Sequence, residues 1–218
     1  GGIRQYHASR PRRAEKRKEL PVSGVSFRVG NTEIRIHPLS ALSAAALLFA
    51  ENSVYALAVL FCAALHEGGH IVALYLCGGR VLRLSFLPCG MEICMSPLSY
   101  KKEILTALAG PAANLFSSAL FYAAAHGNTF FLFCADCGVF LALFNLLPLC
   151  GFDGAQILKS LSFLYLPYEK ALKLQSVSEP ISLILFAAAS GAVCAFAGFN
   201  LSLCVIFLYF FACAFCRR

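Results

Sequence analysis

The sequence HEGGH at positions 66–70 lies inside an apolar run from Val54 to Leu76. A run of this length can cross the hydrocarbon core of a bilayer as a single helix. Ionisable side chains within such a span cost free energy, and they are usually functional. On a helix, His66 and His70 fall one turn apart on the same face, where both imidazoles can bind one zinc ion. Glu67 stands beside the first histidine, where it can act as a general base.

The overall composition agrees with a membrane environment. Of the 218 residues, 59% are hydrophobic and 13% are charged, and the mean hydropathy is +0.73. Soluble domains are typically about 45–50% apolar and about 25% charged. The chain has no tryptophan, so an aromatic belt at the membrane boundary would have to consist of Tyr and Phe. These values predict an integral membrane protein.

The apolar segments predict an all-α polytopic protein with six transmembrane helices, three of them forming a catalytic core. The last two helices divide the run Ile181–Phe215, which is too long for one crossing and is interrupted at residues 198–200. Residues 36–216 would form this six-span domain. The predicted spans are about 36–50, 54–76, 104–125, 129–149, 181–197 and 200–216.

Two segments outside the spans have the alternation of β-strands. Val25–Ile36 alternates loosely around a Gly30-Asn31 turn signal, which predicts a short strand pair at the membrane surface. Between spans two and three, Val81–Leu87 alternates with period two within a polar stretch. Irregular backbone at membrane depth must be buried in protein or line a water-filled cavity. We therefore expect a short interfacial β-hairpin or loop there.

The basic residues test the proposed topology. Residues 1–35 form a basic arm, with the highest density of positive charge between Arg10 and Lys18. Anionic lipid headgroups are the favoured partner of such an arm beside so many spans, and no nucleic-acid binding is expected. With six spans, segments 1–35, 77–103, 150–180 and 217–218 lie on one side and carry all 18 Lys and Arg residues. The positive-inside rule then predicts that both termini are cytoplasmic. No signal peptide is expected, because the first apolar run would itself direct insertion.

The chain has eleven cysteines, scattered through its apolar segments. Cys134-x-x-Cys137 and Cys213-x-x-Cys216 have a spacing that can serve redox chemistry or metal binding. Cysteine also behaves as a small hydrophobic residue, and this interpretation is favoured because no second ligand pair stands nearby in the sequence.

A catalytic zinc site usually has three protein ligands and one open position. The best candidate for the third ligand is Asp153, in the segment NLLPLCGFDG at positions 145–154. Pro148 ends regular helix, and the glycines on either side of Asp153 let the backbone turn its carboxylate inward. Spans two and four run in the same direction, so His66 and Asp153 both fall toward the cytoplasmic half. A solvent-facing loop carboxylate is the alternative for Asp153.

These motifs together resemble the signatures of the site-2 protease family, the intramembrane zinc metalloproteases (peptidase M50). The matching segments are HEGGH, GPAAN at positions 110–114 and NLLPLCGFDG. The order of Ile36-His37-Pro38, HEGGH, a Leu-Pro-x-Gly loop and GPAAN is similar to the stage IV sporulation protein FB branch. The resemblance covers roughly residues 34–158.

The resemblance implies cleavage of a peptide bond in or beside a membrane segment of another protein, with zinc as the cofactor. It implies a set of roles: zinc ligands His66, His70 and Asp153, catalytic base Glu67, polar helper Asn145, and substrate-binding residues Gly110, Pro111 and Asn114. Asn114 and Asn145 could instead only hydrogen-bond between helices. In the sporulation branch the substrate is a membrane-associated pro-sigma factor, processed at the membrane around the forespore. An anti-sigma factor or another transmembrane regulator is the alternative substrate.

The chain departs from the family pattern at three points. The family often has Pro-x-Pro before the third ligand, where this chain has Pro148-Leu149-Cys150. Gly68 and Gly69 replace larger residues, which allows either close helix contact or substrate access. Many members of the sporulation branch carry a CBS domain after the last span, whereas none is expected here, so this regulation would be absent or supplied in trans. Two other functions stay open, a non-catalytic pseudoprotease scaffold and a metal transporter, although spans five and six lack the ionisable path of a transporter.

Overall fold

The computed structural model describes residues 24–38, 40–41, 53–87, 90–149 and 151–197. Four strands and five long helices occur in this part of the chain. They are β1 (Val25–Val29), β2 (Thr32–Ile36), α1 (Ser53–Leu76), β3 (Val81–Leu87), β4 (Gly90–Met95), α2 (Tyr100–Ala125), α3 (Thr129–Asn145), α4 (Asp153–Tyr165) and α5 (Tyr168–Ala197). Most of the basic arm, most of the first predicted span, the sixth span and the second CxxC pair lie outside the described residues.

Helices α1, α2 and α3 coincide with the second, third and fourth predicted spans. The turn between α2 and α3 requires a left-handed backbone, with φ of 41° at His126 and 85° at Gly127. Asn128 then caps α3, because its side chain accepts a hydrogen bond from the Phe130 amide over 2.9 Å. Among the described helices, Val54–Leu76 and α2 are long and apolar enough to cross a membrane, whereas α3 is shorter, with 17 residues.

Beyond α3, the helix boundaries differ from the boundaries of the predicted segments. The fifth predicted span, 181–197, is the second half of the single helix α5, which begins at Tyr168 and continues through Pro180. The polar segment before it contains α4 and the first part of α5, separated at Leu166 and Pro167. The change from polar to apolar sequence near residue 180 is therefore not a boundary between two elements.

The strands form one mixed sheet in the order β1-β2-β3-β4. The β1–β2 and β3–β4 pairs are antiparallel, and β2 pairs with β3 in parallel. Gly30 makes the first turn with a φ of 60°. The chain is thus mostly helical with a four-stranded sheet. Both strand segments were predicted, but their union in one sheet, within a fold expected to be all-α, was not. The two strand segments join because each would otherwise leave a row of unpaired backbone groups at its edge.

The sheet has one apolar face and one charged face. Directly opposed residues lie on the same face, so the register places Val25, Phe27, Ile34, Leu84 and Phe86 together. The opposite face carries Glu33, Arg35 and Arg83.

On the charged face, Glu33 accepts hydrogen bonds from Arg35 over 2.8 Å and from Arg83 over 3.1 Å. The hydrogen bond from Arg35 is the main cause that lowers the pKa of Glu33. On the apolar face, the side chains of β1 are exposed.

Helix α2 is central among the described helices, because it packs against α1, α3 and α4. Small side chains fill these interfaces, whereas large apolar side chains point outward. Fully or nearly buried residues include Ala58, Cys62, Ala107, Ser118, Ala135 and Ala142. By contrast, Phe116 and Phe140 are 69% and 70% exposed. This distribution is typical of helices that pack closely together inside a bilayer.

Candidate metal centre

The two histidines of the HEGGH pattern face the same point inside the helix bundle. They lie on one face of α1, and their side chains are buried. The Nε2 atoms of His66 and His70 are 3.2 Å apart, and the two rings are nearly perpendicular at 85°. The i, i+4 spacing on a helix is the local cause of this arrangement.

The structure brings Asp153 to the same point. Its Oδ2 atom lies 3.0 Å from Nε2 of His66, and its Oδ1 atom lies 3.2 Å from Nε2 of His70. One ligand atom from each of the three residues can be chosen so that all lie within 4.8 Å of one another. Two imidazole nitrogens and a carboxylate form the three-ligand set of a catalytic zinc site with an open position. These three residues can therefore hold a metal ion.

The backbone between α3 and α4 places Asp153 at this point. Gly151 adopts a φ of 97°, and the Phe152 amide donates to the Leu149 carbonyl over 3.0 Å, which closes a turn. Gly154 packs against the carbonyl of Leu146 so closely that a Cβ would overlap with it. Asp153 is the first residue of α4, where the helix dipole favours a negative charge.

The electrostatic environment keeps Asp153 ionised. Burial by itself would raise the pKa of its carboxyl group, but the hydrogen bonds with His66 and His70 outweigh this effect and lower the pKa. A carboxylate, rather than a carboxylic acid, therefore faces the two imidazoles. This is the protonation state that a metal ligand requires.

Helix α2 holds the second nitrogen of His70 in place. Nδ1 of His70 lies 2.8 Å from the backbone carbonyl oxygen of Thr106. A carbonyl can only accept a hydrogen bond, so Nδ1 carries a proton, which leaves Nε2 as the nitrogen that can bind a metal ion. Sequence analysis missed Thr106, because its contribution comes from the main chain and leaves no signature in the side-chain pattern.

Asn114 of the GPAAN segment contacts His66. Its Nδ2 atom is 3.1 Å from Nδ1 of His66, and the residue is 0% exposed. The Oδ1 atom of Asn114 is buried and has no hydrogen-bond partner among the described residues. Asn114 thus lies behind one of the two candidate ligand histidines, whereas its assignment to substrate binding stays a prediction.

Two glycines allow α1 and α2 to approach each other at the centre. A Cβ at Gly69 would lie 2.5 Å from the Ala109 carbonyl oxygen, and a Cβ at Gly110 would overlap with Nε2 of His70. Gly68 has open space instead, with nothing within 4 Å of a Cβ. The structure therefore assigns close helix contact to Gly69 and not to Gly68. Pro111 is buried in the bundle, and substrate contact by Gly110 or Pro111 stays a prediction.

The two remaining residues with a predicted role are Glu67 and Asn145. Glu67 is half-buried on α1 between the two histidines. Asn145, also half-buried, is the last residue of α3, and its amide donates to the Leu141 carbonyl of the same helix over 2.9 Å. This bond supports a helix-terminating role for Asn145, and its role near a substrate stays a prediction.

Elsewhere in the bundle, the structure gives a partner to an acidic residue within the fourth predicted span. Asp136 of α3 accepts a hydrogen bond from the hydroxyl group of Tyr122 on α2. The two residues are brought together by the packing of two helices, so no local sequence pattern could have paired them. The contact lies at the exposed surface of the bundle.

No protein-family model matches the chain, and no curated protein sequence matches it. Among solved structures, the site-2 protease from Methanocaldococcus jannaschii matches with a TM-score of 0.61 and 20% sequence identity. The match covers 86% of this chain and 91% of that protein. The chain therefore shares the fold of a site-2 protease.

Proposed function

We propose that this protein is an intramembrane zinc metalloprotease of the site-2 type. The single observation that carries the proposal is the convergence of His66, His70 and Asp153 within the helix bundle. The two histidines belong to one apolar helix, and the aspartate comes from a different part of the chain. The fold shared with a site-2 protease supports the same function.

The bundle is proposed to span a membrane. Two of the described helices have the required length and hydropathy, and the exposed surface carries large apolar side chains such as Phe116 and Phe140. A water-soluble bundle would bury these side chains, because their exposure to water costs free energy. We propose that all six predicted spans cross the membrane and that both termini are cytoplasmic. The positive-inside distribution supports this orientation.

The chemistry follows from the positions of the side chains. His66, His70 and Asp153 would hold the metal, which when bound supplies a Lewis acid for a water molecule and for the scissile carbonyl group. Glu67 would take a proton from the attacking water and then deliver it to the leaving amine. The half-buried position of Glu67 on the same helix as the histidines supports this role.

A substrate must present an extended backbone, because a helix hides its carbonyl groups. We propose that β4 receives this backbone as an added strand. It is an outer strand of the described sheet and follows α1 through β3, which links it to the helix that carries the histidines. The cut would then fall in or beside a transmembrane segment, near the cytoplasmic side.

The substrate is proposed to be a membrane-associated pro-sigma factor of sporulation, cut in the bacterial cell membrane that surrounds the forespore. The order of the sequence motifs supports this choice. An anti-sigma factor or another transmembrane regulator is the second candidate. Lipids and a membrane inhibitor or regulatory subunit would be the other partners.

The experiment that tests the proposal is Glu67→Gln in the full chain in its native membrane. We expect the variant to retain zinc, to lose cleavage of a transmembrane reporter panel that includes a pro-sigma factor, and to trap the uncut substrate for identification by mass spectrometry. Glu169→Gln, which changes an exposed glutamate at the start of α5, is the matched control and should retain cleavage. Unchanged cleavage by Glu67→Gln would overturn the mechanism. A wild type that holds zinc and cuts nothing would favour a pseudoprotease scaffold.

A further inference from the structure

The contact between Asn114 and His66 can form in two ways. The two ends of an asparagine amide have nearly the same shape, so a rotation by 180° exchanges the donor and the acceptor without moving the rest of the side chain. One arrangement places the amino group against Nδ1 of His66, and the other places the carbonyl oxygen there. The position of the amide is the same in both, 3.1 Å from the imidazole.

The arrangement with the amino group against the imidazole conflicts with metal binding. An N–H donor requires a lone pair on Nδ1, so the proton of a neutral imidazole would be on Nε2. The Nε2 atom faces Asp153 and His70 at the centre, and with a proton it could not act as a ligand. The same arrangement also leaves Oδ1 of Asn114 buried without a partner among the described residues, which is unfavourable.

The rotated arrangement removes both conflicts. The carbonyl oxygen of Asn114 then accepts the Nδ1 proton of His66, and Nε2 turns its lone pair toward the centre. His70 already has this pattern, because the Thr106 carbonyl accepts its Nδ1 proton. Thr106, Gly110 and Asn114 are spaced at i, i+4 and i+8 on α2, so one helix face supplies an acceptor for each histidine with the glycine between them.

We propose that Asn114 is a positioning residue whose amide oxygen holds His66 in the Nδ1-protonated form that binds metal. The hydrogen bond orients the ring and keeps its proton on Nδ1 when Nε2 binds the metal. This inference rests on the proposed metal site but does not depend on peptide cleavage. It differs from a substrate-binding role, because the amide is completely buried between the helices.

The first test compares zinc affinity in Asn114→Asp and Asn114→Leu by chelator competition on the full chain in detergent. Aspartate keeps an oxygen acceptor toward Nδ1, so its affinity should equal or exceed that of the wild type. Leucine has a similar size without an acceptor, and its affinity should fall roughly 10- to 100-fold. Ser118→Ala is the matched control, because Ser118 is buried one turn further along α2. It should bind zinc like the wild type.

Two results of this test would overturn the proposal. One is wild-type affinity in Asn114→Leu. The other is an equal loss of affinity in Asn114→Asp and Asn114→Leu, which would mean that the amino group is the important part of the amide. Loss of cleavage in Asn114→Leu with unchanged zinc affinity would refute the positioning role and leave the proposed function standing. Reduced zinc affinity in Asn114→Leu together with absent cleavage in the wild type would refute only the proposed function.

The second test reads the tautomer directly and needs no variant at position 114. In the zinc-loaded wild type with ¹⁵N-labelled histidine, the His66 signals can be assigned by their loss in His66→Gln. We expect the proton of neutral His66 on Nδ1. A proton on Nε2 would overturn the proposal, whether or not Asn114→Leu folds.

Discussion

Oδ2 of Asp153 lies 3.0 Å from Nε2 of His66, although 87 positions separate the two residues in the chain. The histidine comes from the middle of an apolar helix, and the aspartate begins a helix of a more polar segment. Their contact therefore requires that the turn after α3 bends back toward α1. The site exists only when these two parts of the chain are packed together.

Substitution of Asp153 should separate metal binding from folding. Asp153→Asn keeps the shape of the side chain and removes its charge, so we expect zinc affinity to fall by at least about tenfold while the helical content is retained. Asp136→Asn is a matched control, because Asp136 lies on α3 and contacts Tyr122 instead of the histidines. Zinc content and circular dichroism would be measured on both purified variants. Undiminished zinc binding by Asp153→Asn would exclude Asp153 as a ligand.

Substitution of Gly68 and of Gly69 by alanine should have opposite effects on the stability of the bundle. Gly69→Ala places a Cβ against the Ala109 carbonyl, so we expect it to destabilise the bundle by about 1–3 kcal/mol and to weaken zinc binding. Gly68→Ala meets no neighbouring atom, and it should be neutral or stabilise the helix by up to about 1 kcal/mol. Reversible unfolding in mixed micelles measures both effects. Equal effects of the two substitutions would contradict the observed packing of α1 on α2.

The apolar face of the sheet should contact lipid if the strands lie at the membrane surface. The chain has no tryptophan, so a single introduced Trp is a clean fluorescent reporter. Phe27→Trp lies on the apolar face, and we expect blue-shifted emission that brominated lipids quench. Arg28→Trp is one residue away on the opposite face and should be quenched by aqueous acrylamide instead. Equal accessibility of both reporters to acrylamide would place the whole sheet in water.

Proline in β4 should impair substrate cutting without removing the metal. Ile93 pairs with Leu84 of β3, and Ile93→Pro removes a backbone donor from the strand that we propose as the substrate platform. We expect cleavage to fall at least about tenfold, while zinc content stays unchanged. Ile93→Thr, which keeps the backbone donor and a β-branched side chain, is the control. Full cleavage by the proline variant would exclude substrate binding along β4.

The cluster of His66, His70 and Asp153 was largely predictable from the sequence, because its geometry depends on local rules. The i, i+4 spacing on a helix decides how His66 and His70 face each other, and the Pro148 and Gly151 positions indicate a turn before Asp153. The acceptor for His70 could not be predicted, because every residue has a backbone carbonyl and only packing selects that of Thr106. The contact of Asn114 with His66 depends in the same way on how α2 packs against α1.

Helices and strands could be predicted where apolar residues recur with a regular period. Pairings between residues far apart in the chain were less predictable. Alternation indicated the strand segments, but the parallel pairing of β2 with β3 joins residues about 50 positions apart. Hydropathy indicated the fifth predicted span but not the start of the longer helix that contains it. It registers the change in polarity near residue 180, whereas hydrogen bonding continues from Tyr168 to Ala197 and the break falls at Leu166 and Pro167. The Pro167 position was the available signal for that break.

The hydrogen-bond partners of the two histidines differ in how easily a mutation removes them. The acceptor of His70 is the main-chain oxygen of Thr106, which every amino acid at position 106 would still provide. The neighbour of His66 is the side chain of Asn114, which one codon change can remove. Random mutagenesis should therefore recover inactive variants more often at position 114 than at position 106. The orientation of His70 thus depends on a main-chain oxygen, whereas that of His66 depends on one side chain that a single mutation can change.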